Sequence, residues 1–279
     1  MQLWYAFCEA LPFEMLQWDF MKNALLAVLL MAPLFGICST MIVTGRMSFF
    51  SDALGHAAFT GIAIGSICGI AAPTWVAVIF AIIFSVLFSF VRYKSNQAAD
   101  TIIGVFSSTA VALGVFIATL DGGSFTKYNR YLIGDILSIT PGQIGLLLLI
   151  LAAIITFWVL ASNKLTLSAV YPQLASSRGV RSEWYQGIFS AAIAVVVTLS
   201  ISWIGLLIIN SLLVLPAASA RSISRNLRQY HIYSVLFAFI AGIGGLILSY
   251  CLGVSAGAAI CLIMALIFSV CFCFRKVCK

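Results

Sequence analysis

Residues 24–43 read ALLAVLLMAPLFGICSTMIV, a run of twenty residues without a charged side chain. A helix of about 20 apolar residues is long enough to cross the hydrocarbon core of a bilayer. The whole chain has this character, since 63% of its 279 residues are hydrophobic and only 8% are charged. Soluble domains carry about 25% charged residues. The sequence therefore predicts an all-α, polytopic integral membrane protein surrounded by lipid.

Similar apolar runs predict a bundle of about nine transmembrane helices, between eight and ten in all. The candidate spans are 20–43, 49–70, 72–91, 98–120, 142–162, 184–203, 205–220, 232–250 and 254–274. No shift in composition separates them, so residues 1–279 are interpreted as a single transmembrane domain. Residues 1–19 contain acidic but no basic residues, unlike the start of a signal peptide. We interpret them as an interfacial lead-in.

The net charge of +7 comes from basic residues placed in short clusters between the apolar runs. Basic residues flanking membrane spans set topology, because they are retained on the inner side. An outward amino terminus and an inward carboxyl terminus leave only Lys22, Lys127 and Arg130 outside, and place the other twelve basic residues inside. No motif of a nucleic-acid partner is present. The charge therefore predicts this topology and lipid as a partner, and no binding of nucleic acid.

The next segment, residues 45–61 (GRMSFFSDALGHAAFTG), places polar groups within an apolar stretch. Asp52 and His56 are four residues apart, so a helix presents both on one face. Ionisable residues inside a membrane are costly and usually mark a pathway or site. A carboxylate oxygen and an imidazole nitrogen suit Zn²⁺, Mn²⁺ or Fe²⁺. We predict that Asp52 and His56 contact a metal ion; the alternative is a helix cap with a packed histidine.

Neighbouring residues of the same segment are candidates for the pathway or for helix packing. Thr60 continues the face of Asp52 and His56, while Ala57 and Gly61 belong to a stripe of small residues beside it. Small residues at every fourth position let a second helix approach closely. The other histidine, His231, lies in a polar stretch between two spans, where we expect a solvent-exposed loop.

A second informative segment covers residues 204–228, IGLLIINSLLVLPAASARSISRNLR. Proline interrupts helices, so we expect the span to break at Pro216 and to run into a short segment of small and basic residues. The following residues 217–230 are then expected to form a surface helix on the inner face, where a cytoplasmic partner docks. Its candidate contact residues are Ala217, Ser219, Arg221 and Arg225. The alternative is that the arginines only anchor the span to anionic headgroups.

Several catalytic motifs are missing from the sequence. No GxxxxGK[ST] phosphate-binding loop is present, so the chain does not bind ATP in that manner. HExxH is also missing, and two histidines with eight acidic residues leave few options for catalysis. We therefore predict a protein that is not an enzyme and that holds no permanently bound cofactor.

The chain resembles the permease family of zinc-, manganese- and iron-importing ABC transporters over most of its length, from about Ala24 to Phe268. The run GRMSFFSDALGHAAFTGIAIG is similar to that family's signature, and IGLLIINSLLVLPAASAR to its span before a coupling loop. The segments SNQAADTIIGVFSSTAVALGVFI and YLIGDILSIT occur between them in the expected order. LGVSAGAAICL is a looser match, with Ala256 where family members often have proline.

This resemblance implies a fold like that of the cobalamin-type importer permeases, in which residues 44–50 would dip into the bilayer. It implies a multi-pass protein of the bacterial cytoplasmic membrane that forms an ATP-driven import pathway as a dimer. The implied partners are a separate ABC ATPase dimer bound near residues 217–230, an external metal-binding protein, and a second permease chain, identical or paralogous. Asp52 and His56 would contact the transported Zn²⁺, Mn²⁺ or Fe²⁺. The remaining alternative is an ATP-independent metal channel or an ion-coupled carrier.

Overall fold

The computed structural model describes residues 2–9, 14–70, 72–95, 97–120 and 135–278, which form α-helices and two single 3₁₀ turns, without a strand in these ranges. In chain order the helices are α1 (Gln2–Glu9), α2 (Asp19–Thr44), α3 (Phe50–Ile67), α4 (Pro73–Lys94), α5 (Ala99–Leu120), α6 (Pro141–Val170), α7 (Pro172–Ser177), α8 (Ser182–Ile204), α9 (Leu206–Ile223), α10 (Leu227–Leu252) and α11 (Ala256–Cys278).

Eight of these helices, within the described ranges, are long and apolar enough to cross a membrane: α2, α4, α5, α6 and α8 to α11. They confirm the predicted all-α membrane bundle, and their ends mostly lie within a few residues of the predicted spans. Helix α6 is longer, since it continues to Val170. The ninth predicted span corresponds to α3, which has only 18 residues and includes Asp52 and His56. These two polar side chains lower its hydropathy.

Local signals explain several helix ends. Helix α4 begins with Pro73, whose missing N–H is not needed in a first turn. The side chain of Asn226 caps α10 by accepting a hydrogen bond of 2.9 Å from the backbone N–H of Gln229. The same helix ends at Gly253, where φ is +66°, the left-handed conformation that glycine adopts at helix ends.

The first compact unit comprises residues 1–40, 134–155 and 203–279. Within it, α9 and α10 both pack against α11, and α2 packs against α10. Gly36 of α2 lies so close to Val235 that an added Cβ would be 2.8 Å from its Cα. The hydroxyl of Ser234 donates to the carbonyl of Gly36 at 2.7 Å. Small residues thus allow α2 and α10 to touch along their backbones.

The amino-terminal lead-in folds against the start of α2 in this unit. The indole N–H of Trp4 donates to the carbonyl of Lys22 at 3.0 Å, and the hydroxyl of Tyr5 donates to the Asn23 side chain at 2.8 Å. The ammonium of Lys22 lies 2.8 Å from a carboxylate oxygen of Glu9. Residues 10–13 of the lead-in lie outside the described residues. Its interfacial position remains a prediction.

The second compact unit comprises residues 41–133 and 156–202. Helix α3 packs against both α4 and α5, and 13 of its 18 residues are buried. By contrast, only 33% of the most apolar 18-residue stretch of α4 is buried. Stacked rings of Phe50 and Phe88, 4.6 Å apart, join α3 to α4. The helix with the polar pair is therefore mainly surrounded by protein.

The structure contradicts two expectations drawn from the sequence. Helix α9 does not end at Pro216 but continues through it to Ile223, and no separate surface helix forms before α10 begins at Leu227. Next to the proline, the backbone N–H of Ala217 donates to the hydroxyl oxygen of Ser39 at 3.2 Å. This partner from α2 helps to tolerate proline within the helix.

The predicted exposed loop around His231 is also wrong. His231 lies in the second turn of α10 and is partly buried. Its Nδ1 atom is 2.9 Å from the hydroxyl oxygen of Thr40 on α2. The hydroxyl of the neighbouring Tyr230 donates to the carbonyl of Thr40 at 3.3 Å. These polar residues stabilise the contact between α2 and α10 rather than facing water.

Candidate functional site

The Asp52–His56 pair lies at the beginning of α3, directly after the turn of residues 45–49. Asp52 is in the first turn, where a carboxylate is favoured by the partial positive charge of the helix amino terminus. His56 follows one turn later on the same face. The Nε2 atom of His56 is 3.6 Å from Oδ2 of Asp52. The structure thus brings together the two side chains that the sequence predicts as metal ligands.

This separation suits two ligands of one metal ion. Zinc ligands lie about 2.0–2.2 Å from the ion, so two ligands at tetrahedral positions are about 3.4 Å apart. The side chain of Asp52 is 44% exposed and that of His56 is 28% exposed. Both groups are therefore accessible to an ion, although α3 is mostly buried.

The three neighbouring candidates, Thr60, Ala57 and Gly61, are all buried in the second unit. The hydroxyl of Thr60 donates to the carbonyl of Ala110 on α5 at 2.7 Å and lies 3.0 Å from the carbonyl of His56. Thr60 therefore fixes α3 against α5 one turn after His56. The structure places all three residues in helix packing rather than on an accessible surface.

Packing on both sides of α3 depends on glycine. A Cβ atom at Gly61 would collide with the Cα atom of Ala77 on α4. On the other side, a Cβ at Gly114 of α5 would be 2.6 Å from the ring of Phe59 and 2.7 Å from the Thr60 hydroxyl. The backbone of α3 is thereby held close to its two neighbours. These contacts restrict the position of the helix that carries Asp52 and His56.

The described residues around Asp52 and His56 offer two potential metal ligands. Within the described residues, no group of three or more His, Cys, Asp or Glu side chains lies close enough to hold an ion. Asp52 and His56 offer one carboxylate oxygen and one imidazole nitrogen as potential ligands. A four-coordinate ion would need two further ligands from water, from other oxygen atoms, or from a second chain.

The candidate docking residues have different surroundings in the structure. Ala217 and Ser219 are fully buried on α9, so their side chains contribute to packing within the first unit. Arg221 and Arg225 are exposed, one in the last turn of α9 and the other before α10. Of these four residues, the two arginines are therefore the ones accessible to a docking partner.

Comparisons with known proteins agree with this fold. The sequence profile of the "ABC 3 transport family" matches residues 17–275. The high-affinity zinc uptake system membrane protein ZnuB of Haemophilus influenzae is 29% identical over 244 residues, which cover 86% of this chain and 90% of that protein. The manganese import system permease protein ScaB of Streptococcus parasanguinis is 28% identical over 256 residues, covering 92% and 91%.

Among solved structures, a chain of PsaBC from Streptococcus pneumoniae, in complex with a Fab, has a similar fold. The TM-score is 0.79 with 24% sequence identity, and the match covers 98% of this chain and 95% of that chain. At this identity the likeness shows the fold alone. It confirms the all-helical fold expected from the sequence.

Proposed function

The chain belongs to the ABC 3 transport family and is a multi-pass membrane protein, and from this premise we propose that it is the permease of an ATP-driven importer for divalent transition metal ions. The ion is its substrate, Zn²⁺, Mn²⁺ or Fe²⁺. The observation that carries the proposal is the Asp52–His56 pair, with 3.6 Å between Oδ2 and Nε2 on a mostly buried helix. Relatives named as zinc and manganese import proteins support this substrate class.

Two copies of the pair would complete the coordination of one ion. Each chain offers one oxygen and one nitrogen ligand, so two permease chains, identical or paralogous, would provide an O₂N₂ set. Binding has to be transient, because a site that holds the ion too tightly blocks passage. ATP hydrolysis by a separate ATPase dimer would shift the permease between outward-open and inward-open states, after an external binding protein delivers the ion.

We assign the docking of the ATPase to the exposed Arg221 and Arg225, with the buried Ala217 and Ser219 keeping the end of α9 in place. These residues lie on the side that the charge distribution predicts to be cytoplasmic. Helix α7 is also exposed and lies on the same predicted side. It is the alternative docking surface with which the two arginines are compared. Protection of the Ser224→Cys variant, next to Arg225, from a thiol reagent, measured with and without the ATPase, tests this assignment.

The metal site is tested by uptake of radioactive Zn²⁺ or Mn²⁺ in cells that express the complete transporter. Asp52→Asn and His56→Gln preserve side-chain size but weaken metal ligation, and we expect each to lower uptake at least tenfold. The matched control is Asp100→Asn, which changes an exposed carboxylate in the first turn of α5 and should leave uptake unchanged.

Normal uptake by both the Asp52→Asn and the His56→Gln variants would contradict the assignment of the site. A second arm addresses the energy source, with the purified chain reconstituted into liposomes. We expect no metal transport until the ATPase and ATP are added. Transport by the chain alone would instead indicate a channel or an ion-coupled carrier.

A further inference from the structure

The turn that joins α2 to α3 contains a residue in an unusual backbone conformation. Arg46 has a φ of +55°, and in the described parts of the chain it is the one residue other than glycine with a positive φ. Its backbone N–H donates to the carbonyl of Val43 at 3.2 Å, and that of Met47 donates to the carbonyl of Ile42 at 2.9 Å. These two bonds form the Schellman motif of helix ends, in which glycine usually takes the left-handed position. Arginine adopts that conformation at a steric cost, so the turn needs support from outside its own residues.

Arg92, near the end of α4, supplies this support at the residue before Arg46. Its Nη2 atom donates to the carbonyl of Gly45 at 2.7 Å, and the side chain is partly buried. Carbonyl groups at the end of a helix lack partners within that helix, and a cation is favoured there. The guanidinium therefore fixes the carboxyl end of α2 to α4, directly before the left-handed residue.

Helix α4 also contacts the other side of the same turn. The ring of Phe88 stacks on that of Phe50, the first residue of α3, with 4.6 Å between their centroids. Both rings are completely buried. Phe88 and Arg92 are four residues apart, so they lie on one face of α4. This face thus contacts the chain immediately before Arg46 and again where α3 begins.

The first turn of α3 is the part of the candidate metal site that depends on this contact. Asp52 lies in that first turn, whereas His56 follows one turn later. One turn further on, the Thr60 hydroxyl fixes α3 to the carbonyl of Ala110 on α5. If Arg46 relaxed to an ordinary φ, the chain would enter α3 in another direction. Asp52 would then move away from His56, while the rest of the helix stayed in place.

We propose that Arg92 is a positioning residue for Asp52. Its hydrogen bond to Gly45 keeps Arg46 in the left-handed conformation. The turn then holds the Asp52 carboxylate beside the imidazole of His56, at the separation of 3.6 Å between Oδ2 and Nε2. The guanidinium is a cation without an acceptor atom, so it acts through the backbone and not as a ligand of the ion. This role rests on the proposed transport of metal ions.

The first test measures the turn itself, by hydrogen exchange of the full chain in detergent micelles. Loss of a hydrogen bond from a charged group should make Arg92→Gln raise the exchange rate of the Met47 amide about tenfold. Arg92→Lys keeps a cationic donor and should raise it less. Lys94→Gln is the matched control, because the exposed ammonium of Lys94 lies over the ring of Phe90 in its own helix. Unchanged exchange in Arg92→Gln would overturn the proposal.

The second test measures uptake of radioactive Zn²⁺ by cells that express the complete transporter, corrected for the amount of the chain in the membrane. We expect Arg92→Gln to lower uptake about tenfold and Arg92→Lys to restore most of it. Adding Arg46→Gly to Arg92→Gln should restore uptake several-fold, because glycine adopts a positive φ without the steric cost. Gly104→Ala is the control for this second change, since an added Cβ there meets nothing within 4 Å, and it should restore nothing.

The uptake variants distinguish a failure of this role from a failure of the proposed function. Normal uptake by Arg92→Gln, with Asp52→Asn and His56→Gln inactive, would overturn the positioning role and leave the metal site in place. Normal uptake by Asp52→Asn and His56→Gln would contradict the metal site itself. Equal recovery with Arg46→Gly and with Gly104→Ala would reduce Arg92 to a residue of general stability, and recovery with neither would also overturn the proposal.

Discussion

The hydroxyl of Thr60 makes the polar contact that fixes α3 to α5 next to the candidate metal site. Its partner, the carbonyl of Ala110, is 50 residues away in sequence and 2.7 Å away in space. The same hydroxyl lies 3.0 Å from the carbonyl of His56. A side chain that the sequence places on the face of Asp52 and His56 thus acts in helix packing.

Thr60→Val tests this contact, because it preserves the shape of the side chain and removes the donor. We expect the free energy of unfolding to fall by about 1 kcal/mol, the net value of a typical buried hydrogen bond. The measurement is denaturation of the purified chain in mixed micelles. Thr109→Val is the control, since that exposed hydroxyl donates only to Val105 of its own helix at 2.8 Å. Equal losses in both variants would argue against a special role for Thr60.

At the scale of single residues, the sequence predicts local pairs better than distant ones. The spacing of Asp52 and His56 fixes their common face, and the structure confirms their proximity. The partner of His231 was not predictable in this way, because Thr40 lies on another helix. A polar residue near a predicted loop therefore suggested exposure, although tertiary packing buries part of it.

The stripe of small residues on α3 allows neighbouring helices of the second unit to pack closely against it. Gly61 contacts the backbone of Ala77, and Gly65 lies against Pro73, where an added Cβ would be 3.0 Å from the proline Cα. Helix α4 begins at that proline. The pattern of small residues predicted a close neighbour for α3, but only the structure identifies that neighbour as α4.

Gly61→Ala should strongly disturb the close packing of α3 against α4. The new methyl group would collide with Ala77, and overpacking of this kind typically costs about 1–3 kcal/mol or more. Gly104→Ala on α5 is the matched control, because a Cβ there meets nothing within 4 Å. We expect the control to be neutral or stabilised by up to about 1 kcal/mol. Denaturation midpoints and the yield of monodisperse protein would show the difference, and comparable behaviour would refute the close contact.

Helix α9 shows why the span limits were only partly predictable. A proline removes one helix hydrogen bond and clashes with the preceding turn, so the sequence favours a break at Pro216. The structure has a continuous helix there, with Ala217 bonded to Ser39 of α2. A partner 178 residues away compensates for part of the local cost. Local propensity could not reveal that partner.

Because Ser39 offsets part of the cost of Pro216, the effects of Ser39→Ala and Pro216→Ala on the free energy of unfolding should not be additive. Ser39→Ala alone leaves a buried N–H without its partner and should cost about 1–3 kcal/mol. In the Pro216→Ala background the cost should be smaller, because a regular helix can then satisfy the N–H of Ala217. A double-mutant cycle of unfolding free energies measures the coupling. Ser269→Ala, at an exposed hydroxyl bonded within its own helix, is the control, and strict additivity would contradict the compensation.

On the scale of the whole molecule, sequence segments that are far apart form each compact unit. Residues 1–40 join residues 203–279 in the first unit, while residues 41–133 join residues 156–202 in the second. Hydrophobicity predicts the number and type of helices, because lipid demands apolar spans with satisfied backbones. It does not predict which spans associate. That choice depends on contacts between small residues and on buried polar groups, such as Gly36 with Val235 and Ser234.

The surroundings of Lys22 explain how a basic residue can lie on the predicted outer side. Of the three basic residues predicted outside, Lys127 and Arg130 lie outside the described residues. Lys22 is described, and its side chain is only 4% exposed, with Nζ 2.8 Å from Glu9 and 3.2 Å from Asp19. Two carboxylates therefore compensate its charge in the folded protein. This pairing makes a basic residue on the outer side compatible with the inward excess of positive charge.

The predicted topology is tested by cysteine labelling in a background in which all eight native cysteines are replaced. Gln97→Cys lies between α4 and α5 and should face the cytoplasm, whereas Ser255→Cys lies between α10 and α11 and should face outward; both positions are exposed. In intact cells, a membrane-impermeant thiol reagent should modify only the cysteine at 255, and both cysteines after lysis. Selective labelling at position 97 would show that the topology is the inverse of the predicted one, and the proposed cytoplasmic positions of Arg221 and Arg225 would have to be abandoned together. These assignments depend on the same excess of basic residues at one end of the helices.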